Sequence, residues 1–439
     1  MPKLTEAGDI KDFSISSNSK EFSIDISPSV VEFRYFESVL SNTITATAVV
    51  IDTGVQEGSK IGEGSIIDAL PIRGGERADI TVVDNYGNEM VFELYVNRVR
   101  NSNPGTSQEV FFIDFSSKEY FANEQFRVTK RYKDAPISTH VNDIATAMGI
   151  EQIEIDDTAG NYNFYGNDRK AFYILTWLAS KAIPGSSGQG SGLGGTAGYM
   201  FYQTSEGHFF KSIDKLLDQE PKKTYIYTGS IGLPDDEDYD GKIVTYKINA
   251  DIDVQQNLAL GVYNNRTIFF DPLGFSYVVQ GFDTKQQTGK ITTAGEEEAT
   301  AANLLNPQLI ETPSRLMSRV LDVGFNQPGT GDEQVANIKK GTESVINDNT
   351  TKNLVQSVMR YNQLFTIQTE VKIPGDFSLR AGDIIKCVFP QIGPADTTGP
   401  INNETSGEYM IAHICHRTTP KDTFSSLTLV RDSYRVKND

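Results

Sequence analysis

The side chains best suited to chemistry lie towards the C-terminal end, where His413, Cys415 and His416 stand almost side by side and Cys387 precedes them. Imidazole and thiolate are the ligands zinc prefers. In an extended chain, successive side chains alternate between faces, so His413 and Cys415 share a face that His416 does not. A structural role is therefore expected for all of them. The acidic stretch Asp236-Glu237-Asp238-Tyr239-Asp240-Gly241 opens like a calcium loop through Asp236, Asp238 and Asp240. Lys247 stands where the closing glutamate belongs, so a solvated acidic turn is expected there. Gly188 to Gly195 resembles a phosphate-binding loop but lacks the Gly-Lys-Ser/Thr ending and opens no helix, which makes it a linker. His140 and His208 have no nucleophile in a recognisable local motif. No acidic pair is marked out for glycoside hydrolysis. The expectation is a protein with no catalytic residue, cofactor or metal, with Asp236, Asp238, Asp240, Cys387, His413 and Cys415 as the weak metal candidates.

The elements carrying these residues are mostly strands. Phe365 to Val371 alternates at the period of a strand, Pro374-Gly375-Asp376 breaks it, and further runs follow at Ile384 to Phe389, Tyr409 to Arg417 and Leu427 to Arg431. Four such runs predict an antiparallel meander, the material of a small barrel or sandwich. The same grammar occurs near the other end. Arg73-Gly74-Gly75-Glu76 precedes a strand at Asp79 to Val83, as Arg380-Ala381-Gly382-Asp383 precedes Ile384. Val91 to Arg100 then leads past Pro104 to Val110 to Phe115, as Tyr409 to Arg417 leads past Pro420 to Leu427 to Val430. On this reading Arg100 answers to Arg417 and Tyr120 to Tyr434. Gly75 and Gly382 are expected in equivalent turns, where a positive φ would exclude a Cβ.

The chain has 439 residues and a formal charge of −18, from 40 Lys plus Arg against 58 Asp plus Glu. That balance argues against nucleic acid or an anionic membrane surface as a direct ligand. Two cysteines do not make a disulfide framework. The longest apolar run, Ala171 to Ala179, falls short of the roughly 18 residues a bilayer requires. The first residues lack the apolar core of a signal peptide.

Residues 13–121 read as a first β-barrel-like domain, rich in β-branched runs such as Ile44 to Ile51. Residues 122–241 read as an α+β middle domain. Ile137, Val141, Ile144 and Met148 form a helical stripe stopped by Gly149, and a second helix runs from Asp168 as N-cap towards Pro184. A flexible Gly/Ser loop spans 184–198, and a hairpin turns at Ser205-Glu206-Gly207. Residues 242–439 read as a second β-barrel-like domain interrupted by a long polar excursion, 284–347, and re-entered through a helix from Thr350. The fold class expected is mainly β, two similar antiparallel barrel-like domains flanking a small α+β domain.

Several stretches carry a resemblance. The helix ending Val358-Met359-Arg360-Tyr361-Asn362, then Gly375-Asp376-Phe377-Ser378-Leu379-Arg380-Ala381-Gly382-Asp383 with Ile384-Ile385-Lys386, and Gly407-Glu408-Tyr409-Met410-Ile411-Ala412 with its last hairpin resemble the baseplate hub subunit of contractile-tailed phages. They also resemble the hub half of type VI secretion spike proteins. The helix Ala171 to Ala179 followed by Tyr199-Met200-Phe201-Tyr202 is similar to that family's middle domain. The resemblance implies a homotrimer whose six barrel-like units form a ring between a sixfold tail tube and a threefold central spike. It also implies contacts with other baseplate proteins, passage of DNA without stable nucleic-acid binding, no membrane insertion, and a place in the virion after synthesis in the host cytoplasm. A virion-borne or secreted enzyme or glycan-binding module built on β-domains remains the alternative.

Overall fold

The structure is a computed structural model, and it describes residues 8–436 except 19–21, 55–64, 105–107, 186–194, 230–238, 251–252, 272–274, 284–290, 299–311, 323, 325–346, 348–349 and 392–400. Its first unit comprises β1 (Asp9–Ser16), β2 (Ser23–Asp25), β3 (Val30–Ser38), β4 (Thr45–Asp52), α1 (Ile66–Ala69), β5 (Arg77–Val83), β6 (Glu89–Pro104), β7 (Glu109–Ser116) and α2 (Lys118–Gln125). Period-two alternation drives these strands. Phe33, Tyr35 and Glu37 of β3 turn inward, as do Ala46, Ala48 and Val50 of β4 and Ala78, Ile80 and Val82 of β5. Aromatic rings fill the space between, with Phe13 meeting Phe33 edge-on at 5.7 Å.

The middle unit contains β8 (Arg131–Tyr132), α3 (Ile137–Met148), β9 (Ile153–Ile155), β10 (Phe164–Tyr165), α4 (Ala171–Ala179), β11 (Tyr199–Thr204), β12 (Gly207–Ser212) and α5 (Ile213–Leu217). Helix α3 buries Ile137, Val141 and Ile144 on one stripe and ends at Gly149, whose φ of 84° lets the chain leave in a left-handed turn. Helix α4 begins later than the sequence implies. Its cap position is Lys170, and Asp168 stands outside the helix at φ 55°, in the turn that leads into it. β11 and β12 form the hairpin at Ser205-Glu206, and β9 adds to β12 in parallel.

The remainder comprises β13 (Thr224–Ile226), β14 (Gly241–Lys242), β15 (Thr245–Ala250), α6 (Val254–Leu260), β16 (Asn264–Asp271), β17 (Ser276–Asp283), β18 (Glu297–Glu298), β19 (Arg315–Val320), α7 (Thr350–Leu364), β20 (Ile367–Pro374), β21 (Ile384–Val388), β22 (Gly407–Thr418), β23 (Thr423–Arg431) and β24 (Ser433–Tyr434). β20 does not lie beside β21, as a simple meander would have it. It pairs with β23, and the order is β20-β23-β22-β21. The segment from Asp376 to Asp383 carries the chain across to the far edge, held by Asp84, which accepts the Phe377 N–H at 2.7 Å. The region 284–347 is not wholly irregular either: β19 pairs in parallel with β16, and β18 pairs with β24.

The first unit has the order β4-β7-β6-β5, strand for strand that of β20-β23-β22-β21. β3 lies outside β4 as β15 lies outside β20. The molecule is therefore mainly β, built on two similar antiparallel units with an α+β unit between them in sequence. One 14-stranded sheet runs through both, because β22 pairs with β3 from His413↔Ser38 to Thr418↔Phe33.

Candidate functional site

The two matching turns are built alike down to single hydrogen bonds. In the first, Gly75 has φ 82°, its N–H donates to the Val96 carbonyl at 2.7 Å, and Val96 N–H returns to Glu76 O at 2.8 Å. The Glu76 carboxylate closes the turn by accepting the Arg73 and Gly74 N–H groups at 2.7 and 2.8 Å. In the second, Gly382 has φ 94° and donates to Ile411 O at 2.8 Å, and Ile411 N–H returns to Asp383 O at 2.9 Å. Here Asp383 accepts the Arg380 N–H at 2.7 Å. A left-handed residue without a Cβ is what both geometries need.

A bulge follows at the same place in each unit. The register of β6 on β7 shifts between Val96 and Arg98, and that of β22 on β23 between Ile411 and His413. Val96 thus corresponds to Ile411, and Arg100 to Cys415. This corrects the pairing of Arg100 with Arg417: a second irregularity between Arg100 and Asn103 displaces the count, so Asn103 corresponds to Arg417. Tyr120 and Tyr434 do not correspond, since the first lies in α2 and the second in β24.

The joint between the units is held by a carboxylate that sequence reading missed. Glu37 is buried on β3 and accepts three donors: Tyr35 Oη at 2.7 Å, Ser205 N–H of the middle hairpin at 2.8 Å and Ala381 N–H of the second turn at 2.9 Å. Burial raises its pKa, against the opposing pull of Arg380 and these bonds. The available signal was Glu37 in phase with Phe33 and Tyr35, an acid on an apolar face. Beside it, burial pushes His416 down to about 3, and its Nδ1 lies 2.8 Å from Ser425 Oγ. A second buried cluster centres on Arg360 of α7, which ion-pairs Asp432 at 2.8 Å and Asp214 of α5 at 2.9 Å and also bonds the Thr292 carbonyl at 2.7 Å. Arg360 falls on the same stripe as Ser357 and Leu364, where a charge is unexpected.

The metal candidates do not converge. Cys387 of β21 faces Gly407 across the ladder, whereas Cys415 lies eight residues further along β22, a separation of roughly 26 Å at strand rise. Cys387 is buried, and burial drives its thiol pKa far up. His413 Nδ1 lies 2.9 Å from Glu37 O. Asp236 and Asp238 lie outside the described residues, as do residues 188–194 of the glycine-rich stretch. Asp240 accepts the Thr224 N–H at 2.8 Å. Among the described residues, no group of three or more His, Cys, Asp or Glu side chains is placed to hold a metal. His140 lies in the middle core with Nε2 2.8 Å from Tyr162 O, and His208 packs near Phe172 and Phe201.

One polar cleft of about 320 Å³ lies between the middle hairpin and the second turn, lined by Glu154, Tyr202, Lys211, Lys215 and Arg380 among others. Its charges are already paired: Lys211 with Glu154, Lys215 with Asp156 at 3.0 Å and Arg380 with Glu206 at 3.5 Å. Asp383, also in the lining, is raised in pKa by burial and pairs with Lys222 at 3.0 Å, so the arrangement braces two units.

No protein-family model and no curated protein matches the sequence. Solved structures do match the fold. A tail protein from Neisseria meningitidis MC58 superposes with a TM-score of 0.52 at 10% identity, over 96% of each chain. The 43 kDa tail protein of prophage MuSo2 from Shewanella oneidensis superposes with a TM-score of 0.51 at 9% identity, over 96% of this chain and 98% of that one. This chain has the fold of those tail proteins.

Proposed function

We propose that this chain is a baseplate hub subunit, three copies of which form a ring of six similar β-units joining a sixfold tail tube to a threefold central spike. Its units are 13–121, 122–241 and 242–439, with β13 and β14 completing the last sheet. The observation that carries the reading is the internal repeat, in which strand order, latch bonds and bulge coincide around Gly75 and Gly382. Two equivalent units per chain are what a trimer needs to present six positions. Full-length likeness to phage tail proteins supports the same assignment. On this reading the partners are the spike, the tube and neighbouring baseplate proteins, the protein is a non-enzymatic part of the virion made in the host cytoplasm, and DNA passes through the ring during ejection.

Light scattering coupled to size exclusion tests the proposal, on the chain alone and co-expressed with a candidate spike protein. Three copies of the 48.5 kDa chain are expected in at least one of the two preparations, with the mass of the bound spike added in the second. A monomer in both overturns it.

A further inference from the structure

Strand β22 does two things with one edge: Gly407–Met410 end pairs with β21, and His413 to Thr418 pair with β3. Its counterpart β6 does only the first. Glu89 to Tyr95 pair with β5, while residues 98–103 keep β7 on one side and, among the described residues, no strand on the other. The counterpart of β3 is equally incomplete. β3 lies between β4 and β22, but β15 has β20 on one side and no further strand among the described residues. Each unit thus has one edge used within the chain whose equivalent in the other unit is unpaired among the described residues.

We infer that these two open edges pair with each other between copies, β6 residues 98–103 of one chain running antiparallel to β15 of the next. The inference rests on the ring proposed above and names its subunit joint. The occupant is a second copy because the chain already contains the matching joint, β22 against β3, and each edge is the counterpart of one side of it. Three joints within chains and three of like geometry between chains close a ring, in which neither of these two edges is left to template aggregation. The register follows from the repeat. Arg417 lies opposite Arg34, and their counterparts are Asn103 and Lys247, so Asn103 faces Lys247 of the neighbour. Val39 N–H donates to Ala412 O, which directs the Tyr35 N–H towards β22 as well and makes Arg417–Arg34 a pair without mutual hydrogen bonds. The Cα atoms of such pairs lie about 4.5 Å apart, within the span a disulfide bridges.

The test combines Asn103→Cys with Lys247→Cys in the full chain, purified with its spike partner where the trimer requires it. Oxidation is expected to give covalent dimers and trimers on a denaturing gel, absent from either single variant. Ile248→Pro, at the counterpart of Tyr35, removes an N–H from the open edge and is expected to abolish the trimer while the monomer's thermal transition persists. A trimer that neither cross-links nor responds to Ile248→Pro overturns the joint and leaves the hub reading standing. A protein that remains monomeric with and without the spike overturns both.

Discussion

The carboxylate of Glu37 accepts the backbone N–H of Ala381 at 2.9 Å, joining β3 of the first unit to the turn that opens β21 of the second. The same side chain accepts Ser205 N–H, so one buried acid ties three parts of the molecule. Glutamine there presents an N–H to a donor and loses at least one bond. Glu37→Gln is expected to cost about 1–3 kcal/mol, read as a shift in the urea midpoint at pH 7. The wild-type acid is held above its ordinary pKa by burial. Just above the ordinary range the folded state therefore holds a proton that the unfolded chain has released, and stability falls as pH rises through that window. The variant should lack that fall; an unchanged profile would show that Glu37 does not titrate this way.

The two turn glycines should differ in tolerance. A Cβ at Gly382 would lie 2.5 Å from Tyr202 Oη, whereas at Gly75 the nearest neighbour is Asn18 Nδ2 at 3.7 Å. Both substitutions carry left-handed strain of about 1–2 kcal/mol, and only Gly382→Ala adds displacement of the Tyr202 phenol. Denaturant titration of the two alanine variants checks this, and equal losses would refute it.

Arg360 stands between two buried carboxylates. Arg360→Met strands Asp214 and Asp432 without a counter-charge, with an expected cost of about 3–5 kcal/mol. Adding Asp214→Asn and Asp432→Asn should recover part of the loss. A triple variant no more stable than the single one would mean that the damage lies in packing instead.

Acid should weaken the fold through histidines that stay neutral inside it. Burial first, and Arg380 second, depress His416 to about 3, and burial takes His208 to about 4. The unfolded chain takes up protons from about pH 6.5 downward. Between there and the depressed values it binds more protons than the folded state, and stability falls with falling pH. Urea midpoints at pH 7 and pH 4.5 measure the slope, which His416→Gln should flatten. An unchanged slope would exclude His416 as a source.

The ring proposed above, if it conducts DNA, should not hold it. With a net charge of −18, the purified assembly is expected to show no measurable DNA affinity at physiological salt by fluorescence anisotropy. Salt-dependent binding would contradict a passive channel and point to a basic inner wall.

Local order alone determined much of this molecule. The helix from Ile137 to Met148, the hairpin at Ser205-Glu206 and the strand runs were legible because each depends on side-chain period and turn chemistry within a few residues. The likeness of the two ends was legible for the same reason, since Arg73-Gly74-Gly75-Glu76 and Arg380-Ala381-Gly382-Asp383 spell similar turns. Pairings between distant segments were not. Nothing near Phe36 in sequence announces Cys415 beside it, or places β20 against β23 instead of β21. Those partners are chosen by which hydrophobic faces can be buried together once the whole chain has condensed, so the alternation that defines a strand is silent about its neighbour. Glu37 and Arg360 show the same limit: each reads locally as a misplaced charge, and only the tertiary structure supplies the donors and carboxylates that make its burial tolerable.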